Sequence, residues 1–384
     1  MGALKVFLVA GEASGDALGG SVMAGRKQLN PGVTFLGVGG DRMQAEGLES
    51  LFDMTELSVM GLAEVLPKYP HLHARMRQTA DRAIAEAPDV IVTIDSPDFC
   101  LRMLKRVREA RPDQRTVHYV APSVWAWRPK RAAKMAPNVD QVLTLLPFEP
   151  PYMEAEGMRA DFVGHPVVAE PVATDEEVAA FRAAHDLGET EVILALLGSR
   201  KGEVGRLADP FGLALYRVSA DRPDFRVVVP AAPGLEDMVA QHVRAWPGDP
   251  IVLDTRDAPA ATRAAIRAAN VALAASGTVS LELAAAGTPM VIAYDMAWFT
   301  MTVMKAMARI DTVTLVNLVS ETRVVPEFLG RDCKPGPISD ALVNILQNPS
   351  AQAEALDVTM DRLGRGGEAP GLRAARAVLD GLSG

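Results

Sequence analysis

Short apolar runs rich in valine, isoleucine and leucine recur along this chain, each closed by a polar or glycine-containing turn and followed by a stretch with helical spacing. Strand, turn and helix repeated in that order specify a parallel sheet with crossover helices on its faces. Strands are expected at 4–10, 33–38, 90–94, 115–120, 139–146 and 160–164, and again at 191–197, 225–230, 251–254, 271–275 and 289–293. Between the two series, His165-Pro166 through Pro171 carries two prolines and few helix formers, as a linker would. Just after it, Thr174-Asp175-Glu176-Glu177 has the spacing of a capping box, so a helix starts there. A length of 384 residues is long for one core and typical of two domains. The expected class is therefore α/β, with two doubly wound, Rossmann-like domains facing a cleft. Their expected bounds are 1–165 and 166–345, followed by closing helices over 346–384, whose return to the first domain is left open.

In an open parallel sheet, ligands bind outside the carboxyl ends of the strands. That directs attention to Val90-Ile91-Val92-Thr93-Ile94-Asp95-Ser96-Pro97-Asp98-Phe99, where a β-branched run ends in an acid. Pro97 cannot donate to a ladder and biases Ser96 away from the helical region, which fixes the strand's end. Asp95 is the candidate catalytic acid or base. Asp98 is expected to serve as N-cap of a helix beginning near Phe99. The first strand also runs into a turn, Gly11-Glu12-Ala13-Ser14-Gly15-Asp16, but without GxGxxG spacing and with an acid at its second position. Glu12 and Asp16 would repel a dinucleotide pyrophosphate, which disfavours a nicotinamide-dependent oxidoreductase. The same turn also reads as a plain helix start capped by Ser14 or Asp16.

The second half offers two matching turns. Gly198 permits close backbone approach, Ser199 carries a hydroxyl, and the Arg200 fork suits phosphate oxygens. Ser276-Gly277-Thr278 opens a helix expected over 277–286, whose first amides form an anion site, and Glu282 one turn on is placed to accept from ribose hydroxyls. Capping alone explains Ser276–Glu282 equally well. On the anion-site reading, one half would hold diphosphate and ribose, and the other would present Asp95. A non-catalytic nucleotide-binding protein would need no acid at the strand end.

Charge narrows the partners. The net charge of −9 makes general nucleic-acid binding unfavourable. Up to His165 the chain holds 19 basic and 20 acidic residues, and beyond it 20 and 28, so a local positive surface belongs to the first half. Leu57 to Leu66 is apolar and is followed by Lys68, His71, His73, Arg75 and Arg77. Trp125 and Trp127 precede Arg128, Lys130, Arg131 and Lys134. Both stretches suit a lipid interface or a phosphate-bearing substrate, though packing inward explains the first and a solvated helix face the second. Cys100 and Cys333 lie far apart without CxxC spacing, which argues for a reducing compartment and against a zinc site. With no leader-like start and no apolar run of spanning length, a cytoplasmic chain is expected.

The motifs named so far, together with His118-Tyr119-Val120-Ala121-Pro122-Ser123-Val124-Trp125-Ala126-Trp127-Arg128, Leu146-Pro147-Phe148-Glu149 and Phe162-Val163-Gly164-His165-Pro166, resemble the lipid-A-disaccharide synthase family from the first strand to the final helices. The resemblance implies an inverting glycosyltransferase of the GT-B fold, peripheral on the cytoplasmic face of the inner membrane of Gram-negative bacteria. It implies transfer from UDP-2,3-diacylglucosamine to 2,3-diacylglucosamine 1-phosphate, giving a β(1→6) disaccharide 1-phosphate and UDP, with no metal or organic cofactor. By position, Asp95 matches the family's general base, and Glu12, Ser14 and Asp16 its acceptor-side loop. Ser199, Arg200, Ser276, Gly277, Thr278, Glu282 and Asn317 match positions around UDP. One departure is that Leu197 directly precedes Gly198, where the family reads Leu-Pro-Gly. A diacylated substrate must be drawn from a bilayer, so Val59, Met60, Leu62, Val65 and Leu66, with Trp125, Trp127, Arg128, Lys130, Arg131 and Lys134, become the expected lipid-facing residues. The same-fold alternative is a UDP-sugar epimerase or another UDP-sugar enzyme without a lipid acceptor. Nothing in the sequence sets the oligomeric state.

Overall fold

A computed structural model describes residues 4–57, 62–256, 259–295 and 310–382, with the backbone alone over 62–67. The apolar runs become two parallel sheets, whose central strands are buried on both faces because crossover helices cover them. In the first sheet the strands are β1 (Lys5–Ala10), β2 (Thr34–Val38), β3 (Glu49–Ser50), β4 (Val90–Ile94), β5 (Thr116–Tyr119), β6 (Gln141–Thr144) and β7 (Arg159–Phe162), in the order β3-β2-β1-β4-β5-β6-β7. The second sheet holds β8 (Glu191–Leu196), β9 (Phe225–Ala231), β10 (Ile251–Asp254), β11 (Val271–Ala274), β12 (Met290–Tyr294) and β13 (Glu327–Leu329), in the order β10-β9-β8-β11-β12-β13. Each order reverses once, beside the sheet's first strand. Ala10 pairs with Ile94 across the first reversal and Leu196 with Ala274 across the second.

The chain forms two compact units, Met1–Ala169 with Gly366–Gly384, and Glu170–Arg365. The closing segment is divided between them. Helix Ala353–Arg362 belongs to the second unit, whereas helix Pro370–Asp380 packs on helix Ala13–Leu29 of the first. Backbones meet closely there: a Cβ on Gly25 would lie 2.9 Å from the Gly371 carbonyl oxygen. Gln141 of β6 donates to the Ala377 carbonyl at 2.9 Å, and Arg373 to the Phe162 carbonyl of β7 at 2.9 Å. In the second unit the expected capping box is present. Thr174 Oγ1 accepts from the Glu177 amide at 3.2 Å and the Glu177 carboxylate from the Thr174 amide at 2.8 Å.

Two expected caps are corrected. The helix after β4 runs Pro97–Ala110, two residues earlier than expected, with Ser96 at its N-cap. Proline's fixed φ suits the first helical position, so Asp98 falls inside the first turn, where its exposed carboxylate stands 3.6 Å from Arg131. Helix Ala13–Leu29 has Glu12 at its N-cap, without a side-chain cap bond. Ser14 is exposed in its first turn, and Asp16 points elsewhere. The Asp16 carboxylate is buried and accepts from the amides of Gly40 (2.8 Å), Arg42 (2.9 Å) and Met43 (3.0 Å), closing the start of helix Asp41–Ala45.

A second internal carboxylate fixes the loop after β5. Glu149 Oε1 accepts from the Trp125 indole at 3.1 Å, and Oε2 from the amides of Leu145 and Leu146 at 3.1 and 3.0 Å. Burial outweighs these donors and pushes the Glu149 carboxyl up from 4.5 to about 7.

Both carboxylates give stability predictions. Asp16→Ala leaves three helix-start amides without their partner and is expected to cost about 2 kcal/mol, read as a lower urea midpoint. Glu149 binds its proton more tightly folded than unfolded. Its contribution is therefore full below about pH 4.5 and is lost as pH rises through about 7. Urea titrations across that window should show wild type losing stability relative to Glu149→Gln as pH rises; parallel curves would remove the assignment.

Candidate active site

The first unit's reversal leaves the carboxyl ends of β1 and β4 side by side, where such sheets bind ligands. Asp95, half-buried, follows β4 with φ +50°, and Ser96 follows with φ +43°. Two successive left-handed residues without glycine are costly and persist only when their surroundings hold them. Here the Asp95 amide donates to the Tyr119 carbonyl at 2.9 Å, extending the β4–β5 ladder by one bond. Val120, one residue beyond β5, is also left-handed at φ +81°, and its amide donates to Leu143 at 3.0 Å. The turn after β1 abuts this strained corner: a Cβ on Gly11 would lie 2.6 Å from the Ser96 hydroxyl. Gly11 and Glu12 are thereby brought beside Asp95 and Ser96. Of the three acceptor-loop candidates, Glu12 is half-buried here, Ser14 is exposed, and Asp16 is engaged by helix Asp41–Ala45.

Neighbouring titratable groups are arranged for structure. The Cys100 thiol is pushed up by burial and then by the negative charge of Asp95. Burial pushes His118 down to about 4, and Thr93 Oγ1 meets its Nδ1 at 2.8 Å. His165 is likewise pushed down to about 4 by burial, and its Nδ1 accepts from the Val167 amide at 3.2 Å. Both imidazoles are neutral at pH 7. Among the described residues no group of three or more His, Cys, Asp or Glu is placed to hold a metal ion.

The tryptophan loop is anchored. Trp125 packs edge-on to Phe148 with ring centroids 5.1 Å apart, and Glu149 holds its indole. Arg128 lies over the Trp127 ring at 4.3 Å, Arg131 faces Asp98, and Lys130 and Lys134 are exposed. Of the apolar lipid-facing candidates, Val59 and Met60 lie outside the described residues, and Leu62, Val65 and Leu66 are described only as backbone of helix Leu62–Glu86. Two basic side chains further along that helix turn to the protein. Arg75 makes a two-pronged pair with Glu56 at 2.8 and 2.7 Å, and His71 meets the same carboxylate at 2.5 Å. His73, Arg77, Arg102, Lys105 and Arg106 line an open groove of about 440 Å³ against helix Pro97–Ala110.

The second unit repeats the arrangement. The Ala275 amide donates to Leu196 at 2.9 Å, so the turns after β8 and β11 stand side by side. Gly198 is left-handed at φ +93°, and any Cβ there would collide with the Glu203 carboxylate. Ser199 and Arg200 are exposed ahead of helix Lys201–Asp221. Across from them Ser276 is half-buried, while Gly277 and Thr278 are exposed, and the helix they open is Val279–Ala285, shorter at both ends than expected. Glu282 is exposed on that helix. Asn317 is buried in helix Leu315–Ser320. Its amide donates to the Val325 carbonyl at 2.9 Å and to Thr312 Oγ1 at 3.2 Å, and accepts from the Val325 amide at 3.1 Å.

Glu203, Tyr294 and Arg206 were not singled out by sequence. Arg200-x-x-Glu203 has capping-box spacing, a signal that was available for the first of them. Glu149 stood within a recognised motif without a role.

A family model described as lipid-A-disaccharide synthetase matches residues 6–370. The lipid-A-disaccharide synthase of Ruegeria pomeroyi is 61% identical over 386 residues, covering 99% of this chain and 96% of that protein. The Rhodospirillum centenum protein of the same name is 45% identical, covering 98% and 94%. Among solved structures, a Neisseria meningitidis UDP-GlcNAc 2-epimerase bound to UDP-GlcNAc superposes over 100% of both chains with a TM-score of 0.63 at 12% identity. The lipopolysaccharide outer core galactosyltransferase WaaB superposes over 98% of this chain and 99% of its own, with a TM-score of 0.55 at 14% identity. These two show a shared GT-B fold, and the sequence matches show more: this chain belongs to the lipid-A-disaccharide synthase family.

Proposed function

We propose that Asp95 is the general base of an inverting hexosyl transfer from UDP-2,3-diacylglucosamine to 2,3-diacylglucosamine 1-phosphate. As a member of its family the chain is a glycosyltransferase of lipid A biosynthesis. What carries the finer reading is the match across residues 6–370, which includes the acid at the end of β4. Asp95 takes the proton from the acceptor 6-hydroxyl as that oxygen attacks C1 of the donor sugar. The C1–O bond to the diphosphate breaks, UDP leaves, and attack from the opposite face gives the β(1→6) linkage. Gly11, Glu12 and Ser14 bound the acceptor side. Ser199, Arg200, Ser276, Gly277, Thr278 and Glu282 serve the UDP side, with Asn317 holding the fold behind them. His118 and His165 are poor alternatives as base, being buried with Nδ1 already engaged by Thr93 and by the Val167 amide. The epimerase reading is not favoured, since the epimerase likeness is one of fold at 12% identity.

Among the described residues no helix is long and apolar enough to cross a membrane. In this reading the protein docks peripherally on the cytoplasmic face of the inner membrane. The segment from Val59 to Leu66 and the cations Arg128, Lys130, Arg131 and Lys134 make that contact.

Purified protein incubated with donor should release UDP only when the lipid acceptor is present, with the disaccharide seen by mass spectrometry. UDP release without acceptor, or no disaccharide, would sink the reading. Asp95→Asn should bind UDP normally and lose roughly a hundredfold or more in turnover, whereas Asp98→Asn should stay near wild type. Co-sedimentation with anionic liposomes should weaken in high salt and when the four cations are neutralised; indifference to both rejects the docking surface.

A further inference from the structure

The turn after β8 is built around a carboxylate that the transfer reaction does not use. Glu203 lies one turn into helix Lys201–Asp221 and reaches backwards. Its Oε2 accepts from the amides of Ser199 at 2.9 Å and Arg200 at 3.2 Å. Its Oε1 accepts from the Arg200 guanidinium at 2.8 Å and from the Tyr294 hydroxyl at 3.2 Å. A capping box pairs the N3 carboxylate with the N-cap amide and the N-cap side chain with the N3 amide, and Arg200, which has no acceptor, allows only the first of these. Here the Glu203 side chain also binds the preceding amide, an arginine and a tyrosine from the end of β12. The two partners differ sharply in exposure: the Glu203 side chain is 13% exposed and that of Arg200 62%. A sheltered group thus aims an outward one.

The surroundings are shaped for this. Gly198 is the one residue type whose backbone and missing side chain leave room for the Glu203 carboxylate. The Tyr294 hydroxyl is held above its usual value by burial and by the Glu203 charge, and eased by Arg200 and Arg206. Arginine carries its donors in a rigid planar fork. Holding Nη1 on Glu203 Oε1 restricts where the rest of the fork points, which favours recognition of a diphosphate.

We propose that Glu203, braced by Tyr294, is a positioning residue for the diphosphate of the nucleotide sugar, pre-orienting Arg200 and the Gly198–Arg200 backbone. The proposal rests on the UDP reading of this turn. UDP binding is measured by calorimetry, and uridine, which lacks phosphates, by saturation-transfer NMR. Glu203→Ala should weaken UDP about tenfold and leave uridine unchanged. Glu203→Gln, which keeps the shape, should recover part of that loss. Tyr294→Phe should weaken UDP by a factor of about three in the same selective way. Because Glu203 acts in part through Arg200, Arg200→Ala/Glu203→Ala should weaken UDP by clearly less than the product of the two single losses, and a loss equal to that product would overturn the coupling. In turnover assays KM for the donor should rise while kcat changes little.

Unchanged UDP affinity in Glu203→Ala, beside a wild type that binds UDP, overturns this proposal alone. So does an equal loss for UDP and uridine together with a lowered Tm, which marks a purely structural cap. A wild type that binds no UDP overturns the nucleotide reading and this proposal with it.

Discussion

Right-handed crossovers put their helices on one face while a parallel sheet grows in one direction, so covering both faces takes one reversal of order, which both sheets make beside the first strand. The helices leaving β1 and β4 depart to opposite faces, as do those leaving β8 and β11. Each pair of strand ends is left uncovered at one edge. Polar and strained backbone is tolerable there because no crossover has to pack over it. Asp95 with Gly11 and Glu12, and Gly198–Arg200 with Ser276–Thr278, occupy those two places because the topology offers them.

Much of this was legible because strands buried on both faces are mostly apolar, with polar exceptions such as Thr93 and His118 that bond each other. Val6–Ala10 and Val90–Ile94 announce themselves as apolar runs, and an acid directly after such a run is conspicuous. The two-residue β3 and three-residue β13 left no run to read. The helix start near Asp98 was misjudged because two preferences competed, aspartate for the cap and proline for the first turn, and proline prevailed with Ser96 in a left-handed cap. The least legible layer is the set of internal carboxylates. Asp16, Glu149 and Glu203 look in sequence like any acid beside a motif. Their partners lie on other elements, as Gly40, Trp125 and Tyr294 show. Asn317 shows the converse: its position matched a UDP-side residue, while its amide is used to join its own helix to Val325.

Those three carboxylates share one design. Each is sheltered and each gathers backbone amides from a turn at the carboxyl end of a strand or at the start of the next helix. The loops that carry function are thus held from beneath by acids, while side chains such as Arg200 and Ser14 stay exposed at their surface. The strain stored at Asp95, Ser96 and Val120 is held in the same manner, by ladder bonds to β5 and β6.

The helix Pro370–Asp380 completes the first unit although the whole second unit is encoded before it. On the ribosome, β1 to β7 emerge first, yet the surface of helix Ala13–Leu29 that closes on Gly371 lacks this cover until residues 370–380 are made. The second unit, continuous in sequence, is complete in the nascent chain before the first. The half that carries Asp95 therefore cannot be completed until every residue of the other half has been made.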